Sequence, residues 1–191
     1  MRVPSVSPSL RAVALHEKSQ KHVEAVAELN ERLRQAGCKL HYHNGFIQRS
    51  DDSLTTKSLV TPFWDVVATA RWANVDTDMK DACDLRDTGG RDPAKYAAHA
   101  LESAIKIISG EKGWTRGTEK GASNYIDNLV AGKALTAYEA ELLRTFFTKV
   151  RNPLGHGPGA EPMPTLSPDQ TNWAIETAMS WIKMLVRRSG L

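Results

Sequence analysis

Two helix starts constrain this chain more than any other feature. Thr136 with Glu139, and Ser167-Pro168 with Gln170, have the spacing of capping boxes, in which side chains satisfy the free amides at a helix N-terminus. Each is followed by apolar residues at helical spacing. After the first come Leu143, Phe146, Phe147 and Val150; after the second come Ile175, Met179, Ile182 and Val186. A stripe of period 3.6 cannot be buried as a strand, whose side chains alternate between faces. Two helices with one apolar side each then need further surfaces to pack against.

The segments upstream supply them. Thr61-Pro62 opens a helix with a cap and an N1 proline, continuing through "FWDVVATARWA". "NVDTDMKDACDLRD" reads as the next, ended by Gly89-Gly90, and Asp92-Pro93 opens a third, "DPAKYAAHALESAIKIIS". Tyr96, Ala100, Ser103/Ala104 and Ile107/Ile108 share one side of it. A shorter helix falls around "TEKGASNYIDNLV". Before all of these, a helix from about Lys18 to Gln35 carries Val23, Val26, Leu29 and Leu33 and ends near Gly37. Leu40, Tyr42 and Ile47 around Asn44-Gly45 predict a β-hairpin, and "RSDDSLTTKS" a polar connector. The expected architecture is all-α: residues 1–58 form a helix-plus-hairpin appendage and 59–191 a helical bundle.

Composition narrows the function classes. The net charge of +3 permits a polyanionic partner without requiring one. No apolar run approaches the roughly 20 residues of a membrane span, so no membrane partner is expected. The first residues, "MRVPSVSPSLRAVALHEK", have no signal-peptide pattern, and a cytoplasmic location follows as the expectation. Cys38 and Cys83 form no C-x-x-C motif and read as buried, reduced thiols.

The stretch "KVRNPLGHGPG", Lys149 to Gly159, stands where a patterned helix meets a Pro/Gly-rich loop. Leu143, Phe147 and Arg151 are spaced i, i+4, i+8, which brings Arg151 out on or beside the core-facing side. An unpaired buried guanidinium is costly there, so a cleft or an interface is expected. Pro153 should end the helix and push Asn152 into an extended conformation. Gly155 and Gly157 bracket His156 and allow a tight turn. The residues alone also fit a blander reading, with Arg151 complementing a helix C-terminus and His156 a solvated loop histidine.

"VRNPLGHG" in this setting resembles the R-x(4–6)-H signature of the HEPN superfamily, in its compact RNPxxH form. "DPAKYAAHALESAIKII" resembles the early helix of the abortive-infection C-terminal type, and the likeness covers about 92–188. "LNERLRQAGCKLHYHNGFIQ" resembles, more faintly, the segment that often precedes such domains. The resemblance implies a HEPN-like bundle, metal-independent RNA cleavage, and a homodimer that joins two motifs, acting in phage defence or as a toxin. It makes RNA the substrate and an antitoxin or another defence-system protein a further partner. It also implies site roles: Arg151, His156 and Asn152 in catalysis, and Lys106, Lys149 and Glu102 near phosphate. The chemistry suits these residue types. The RNA's own 2′-hydroxyl can attack phosphorus, histidine titrates near neutrality and moves protons, and arginine can bind two oxygens of a phosphorane. The rival reading is a catalytically inert HEPN module that binds RNA or a partner protein. Glu102 and Lys106 at i, i+4 also read simply as a helix ion pair, and Lys149 as a solvated lysine.

Other residues carry less. His41 and His43 share a face of a strand, but no neighbouring Cys, Asp or Glu completes a metal set, and no cofactor is expected. Trp64/Trp72 and Trp173/Trp181 read as core or interface anchors, not base-stacking platforms. His99 lies in an apolar helix and reads as a core histidine.

Overall fold

The computed structural model describes residues 8–43, 45–49, 53–155 and 165–191. The chain divides into two compact units, Met1–Asp51 and Asp52–Leu191. The boundary precedes the expected one at 58/59 because the connector is itself helical from Ser53 onward.

The first unit is helix α1 (Pro8–Gln35) and an antiparallel hairpin of β1 (Leu40–His43) and β2 (Phe46–Arg49). The register pairs Tyr42 with Ile47 and His43 with Phe46, as the Asn44-Gly45 signal predicts; Asn44 itself lies outside the described residues. Asn30 joins helix to strand. Its amide donates to the Tyr42 carbonyl at 2.8 Å and accepts from the Tyr42 N–H at 2.7 Å, so one side chain plays the part of a third strand. Helix α1 begins well before Lys18. Its expected stripe is only partly covered, with Val26 and Leu33 half-buried and Val23 and Leu29 exposed. Cys38 is exposed, against expectation.

The second unit is all-α. Short helix α2 (Ser53–Thr55) widens into a π turn, Thr56–Val60, and continues as α3 (Thr61–Val67). Thr61 is therefore not a cap; its N–H donates to the Thr56 carbonyl within a continuing helix. The cause is Pro62, which has no N–H for the Ser58 carbonyl and whose ring needs room there. Lys183 Nζ takes that carbonyl at 2.7 Å. Helix α3 ends at Val67 because Thr69 is extended, and a 3-10 turn over Ala70–Trp72 leads into α4 (Ala73–Thr88). An unbroken helix would place Trp72 about 80° round the axis from Trp64. With the break, both indoles reach the core.

Gly89, in the left-handed region, ends α4, and Cys83 is buried inside it, its thiol pushed up to about 12 by that burial. Helix α5 (Pro93–Glu111) is the centre of the unit, packed on α4 and on α9 (Pro168–Ser189), with α6 (Ala122–Ala131) on a further flank. Its alanines at 94, 97, 98, 100 and 104 are buried and let neighbouring backbones close in, while Leu101, Ile105 and Ile108 fill the layers between. Burial of each of those three is worth about 2 kcal/mol.

Both capping boxes form as read, at Thr136/Glu139 on α7 (Ala137–Phe146) and Ser167/Gln170 on α9. The end of α7 differs from expectation. It widens into a second π turn, Phe147–Arg151, and passes into α8 (Asn152–Gly155). Asn152 is helical, at φ −64° and ψ −43°, not extended. Pro153 removes an amide as Pro62 does, and the wider turn, closed by Asn152 N–H to the Phe147 carbonyl, accommodates its ring without ending the helix. No helix among the described residues is long and apolar enough to cross a membrane.

Candidate functional site

Arg151 leaves the second π turn with its side chain 32% exposed. Its Nε is buried and has no hydrogen-bond partner among the described residues. Its Nη2 lies 3.5 Å from Glu102 Oε2, and Nη1 donates weakly to Asn152 Oδ1 at 3.4 Å. Glu102, on α5 and only 13% exposed, holds Lys106 Nζ at 2.8 Å through its other oxygen. Lys106 also stands over the Tyr125 ring, 5.9 Å from its centroid. The i, i+4 pair is thus part of a network reaching the motif arginine, not an isolated surface pair.

Arg151, Asn152 and Glu102 edge a cleft of about 470 Å³ between α5, the start of α6, α7 and the second π turn. Lys120, Arg144 and Arg151 line it, against the single carboxylate of Glu102; Ser123, Thr148 and Asn152 add polar groups. Two contacts fix its α6 wall. Trp114 packs over Gly132, where an added Cβ would meet the indole at 2.3 Å. Glu119 accepts from the Arg116 N–H at 2.6 Å and from Asn128 Nδ2 at 2.8 Å, and these bonds lower its carboxyl to about 2. Glu119 and Lys120 therefore belong to the loop, and the expected helix around "TEKGASNYIDNLV" begins only at Ala122.

One turn before Glu102 on α5, His99 is half-buried and not a full core residue. Burial lowers its imidazole, against the opposing pull of Asp78, and the charge of Arg151 lowers it further. Burial raises Asp78 in turn, with Ser103 Oγ donating to it at a long 3.5 Å. Both groups are pushed toward their neutral forms.

The structure thus brings Arg151, Asn152 and Glu102 together, with Lys106 attached through Glu102. Lys149, in the same π turn, is exposed and does not line the cleft. His156 lies outside the described residues. His41 is half-buried, and its imidazole is lowered by that burial. No three His, Cys, Asp or Glu side chains converge to hold a metal ion among the described residues. Trp64 and Trp72 are core anchors, whereas Trp173 is 55% exposed, its ring centroid 6.2 Å from that of Phe146. Lys120 and Arg144 escaped the sequence reading. They lie in no motif, and only the tertiary packing of α6 beside α7 sets them near Arg151. Comparison of the chain with protein-family models, curated proteins and solved structures gave no match.

Proposed function

We propose that the second unit is a HEPN-type, metal-independent endoribonuclease, working as a homodimer in phage defence or as a toxin under an antitoxin or another defence-system protein. The observation that carries the reading is Arg151. Its guanidinium is half-buried at a cationic cleft, its Nε lacks an acceptor among the described residues and its ion pair to Glu102 is loose, and the chain continues from it as N-P-L-G-H. A guanidinium held that way is prepared for an anion.

The chemistry requires no outside reactant. The 2′-oxygen of RNA attacks the adjacent phosphorus as its proton passes to a base, and the P–O5′ bond breaks. The 5′-oxygen takes a proton, leaving a 2′,3′-cyclic phosphate and a 5′-hydroxyl. His156 is the proton-transfer group and Arg151 the partner of the charge that grows on the phosphorane oxygens. Asn152 orients one or the other. Base and acid are both needed in one step, which favours a second copy of the motif across a dimer.

The test is incubation of the pure protein with total RNA in excess EDTA, wild type beside His156→Ala. Cleavage that persists in the wild type, leaves 2′,3′-cyclic phosphate or 3′-phosphate ends and disappears in the variant is expected. Uniform 3′-hydroxyl ends, or activity lost to chelation and restored by a divalent metal, overturn the proposal. Binding of RNA with no cleavage under any condition identifies an inert module instead.

A further inference from the structure

We infer that the cleft between α6, α7 and the second π turn is a nucleotide subsite for single-stranded RNA, in which Lys120 and Arg144 bind the phosphate next to the one that is cut. This rests on the ribonuclease reading for what happens at Arg151, but its own support is separate. Three cations from three elements line one cavity, and its single carboxylate, Glu102, is already engaged by Lys106 and Arg151. Lys120 has no ion-pair partner among the described residues. Arg144 is paired with Asp127, but that pair is open to water, with side-chain exposures of 38% and 56%. Such pairs are weak, and a phosphate offering two oxygens to the guanidinium competes well against one exposed carboxylate.

The neutral donors point the same way. The N–H groups of Ala122 and Ser123 at the head of α6 have no acceptor among the described residues, since the helix bonds start with Asn124 and Tyr125 donating to the Gly121 carbonyl. Ser123 and Thr148 are exposed residues that line the cleft and carry hydroxyls. A volume of about 470 Å³ suits one nucleotide of an unpaired strand. Phosphate bound here and a second phosphate at Arg151 would set the register of the chain across the motif.

The probe is a fluorescent 2′-O-methyl oligouridylate octamer, which has no free 2′-hydroxyl and is not cut. Its affinity is read by anisotropy over a range of salt. Lys120→Ala and Arg144→Ala should each weaken binding about five- to tenfold and reduce the salt slope by about 0.7. Asp127→Asn, which frees Arg144, should tighten binding, a gain that no loss of fold imitates. Arg187→Ala on α9 removes a charge outside the cleft and should change nothing. Wild-type affinity in both the Lys120 and Arg144 variants, an Arg187 effect as large as theirs, or weaker binding by Asp127→Asn overturns the subsite. Displacement of the octamer by polyglutamate at equal concentration also overturns it, in favour of an acidic protein ligand. Cleavable RNA assayed in parallel separates the two proposals. Cleft-dependent binding without cleavage sinks the ribonuclease and keeps the subsite, and cleavage indifferent to Lys120 and Arg144 does the reverse.

Discussion

Arg151 Nη2 stands 3.5 Å from one oxygen of Glu102, while the other oxygen of that carboxylate holds Lys106 at 2.8 Å. Glu102 therefore positions the arginine without saturating it. Glu102→Gln keeps the shape and removes the charge. RNA should bind about two- to fivefold more tightly as the cleft becomes more cationic. Cleavage should slow about tenfold, because an amide nitrogen facing the guanidinium no longer fixes it. Single-turnover rates measured beside affinities separate the two effects. Weaker binding, or both quantities unchanged, would remove Glu102 from the site.

Arg151→Ala should lower cleavage by about 10² to 10³, the usual loss for one donor to a developing oxyanion. Arg151→Lys should recover little of it, since a point charge does not reproduce a planar two-pronged donor. Circular dichroism of both should match the wild type, because the side chain is one-third exposed and contributes little to the core. Wild-type turnover in the lysine variant would mean that charge alone is needed.

Pro153 should act on Arg151 through the backbone. With alanine at 153, an amide becomes available to the Lys149 carbonyl and the π turn can tighten to an ordinary α-turn. Each residue of register lost turns the following side chains by about 100°. Pro153→Ala should hold or raise the melting temperature while cutting cleavage at least tenfold. A variant that cleaves normally would show that the π turn does not aim the arginine.

Much of the bundle was legible because its signals are local. Both capping boxes, the Gly89 stop and the hairpin register depend on residues within a few positions of one another. The prolines at 62 and 153 misled the reading because a π turn absorbs a proline that an α-helix cannot, and nothing in the nearby sequence marks which outcome wins. The break at Thr69 has no glycine or proline and follows from two tryptophans that both need the core. At the site, Arg151 and Glu102 were found by spacing and resemblance. Lys120 and Arg144 were not, because their proximity is a property of how α6 packs.

Glu139 should make stability sensitive to acid. Hydrogen bonding from Arg188 at 2.9 Å and from the Thr136 N–H at 2.9 Å lowers its carboxyl to about 2. The folded-state value lies below the unfolded one, so its stabilisation is complete above the usual carboxylate range and is lost as pH falls toward 2. Glu139→Gln can still close the capping box but cannot pair with Arg188 as a charge. Its melting temperature should fall below that of the wild type at pH 6, with the gap closing by pH 2 to 3. A gap independent of pH would assign the effect to packing.

The last expectation is a dimer that shares its sites. Leu143 and Phe147, which the sequence placed on an apolar surface running into the site, are buried within the unit and unavailable to a partner. Among the described residues, Tyr138 and Leu142 are exposed on α7 and Trp173 on α9, with Trp173 close to Phe146. A two-fold contact there would use the same patch twice and carry two copies of the helix that ends in Arg151. Leu142→Asp should then weaken self-association and cleavage together, measured by sedimentation and by product formation at equal protein concentration. Mixing wild type with an excess of inactive His156→Ala should cut the activity of the wild-type chains, since a mixed dimer holds only one of the two histidines that serve as base and acid. Undiminished activity on mixing, together with a monomer in sedimentation at micromolar concentration that cleaves at full specific activity, would place the whole reaction in one chain.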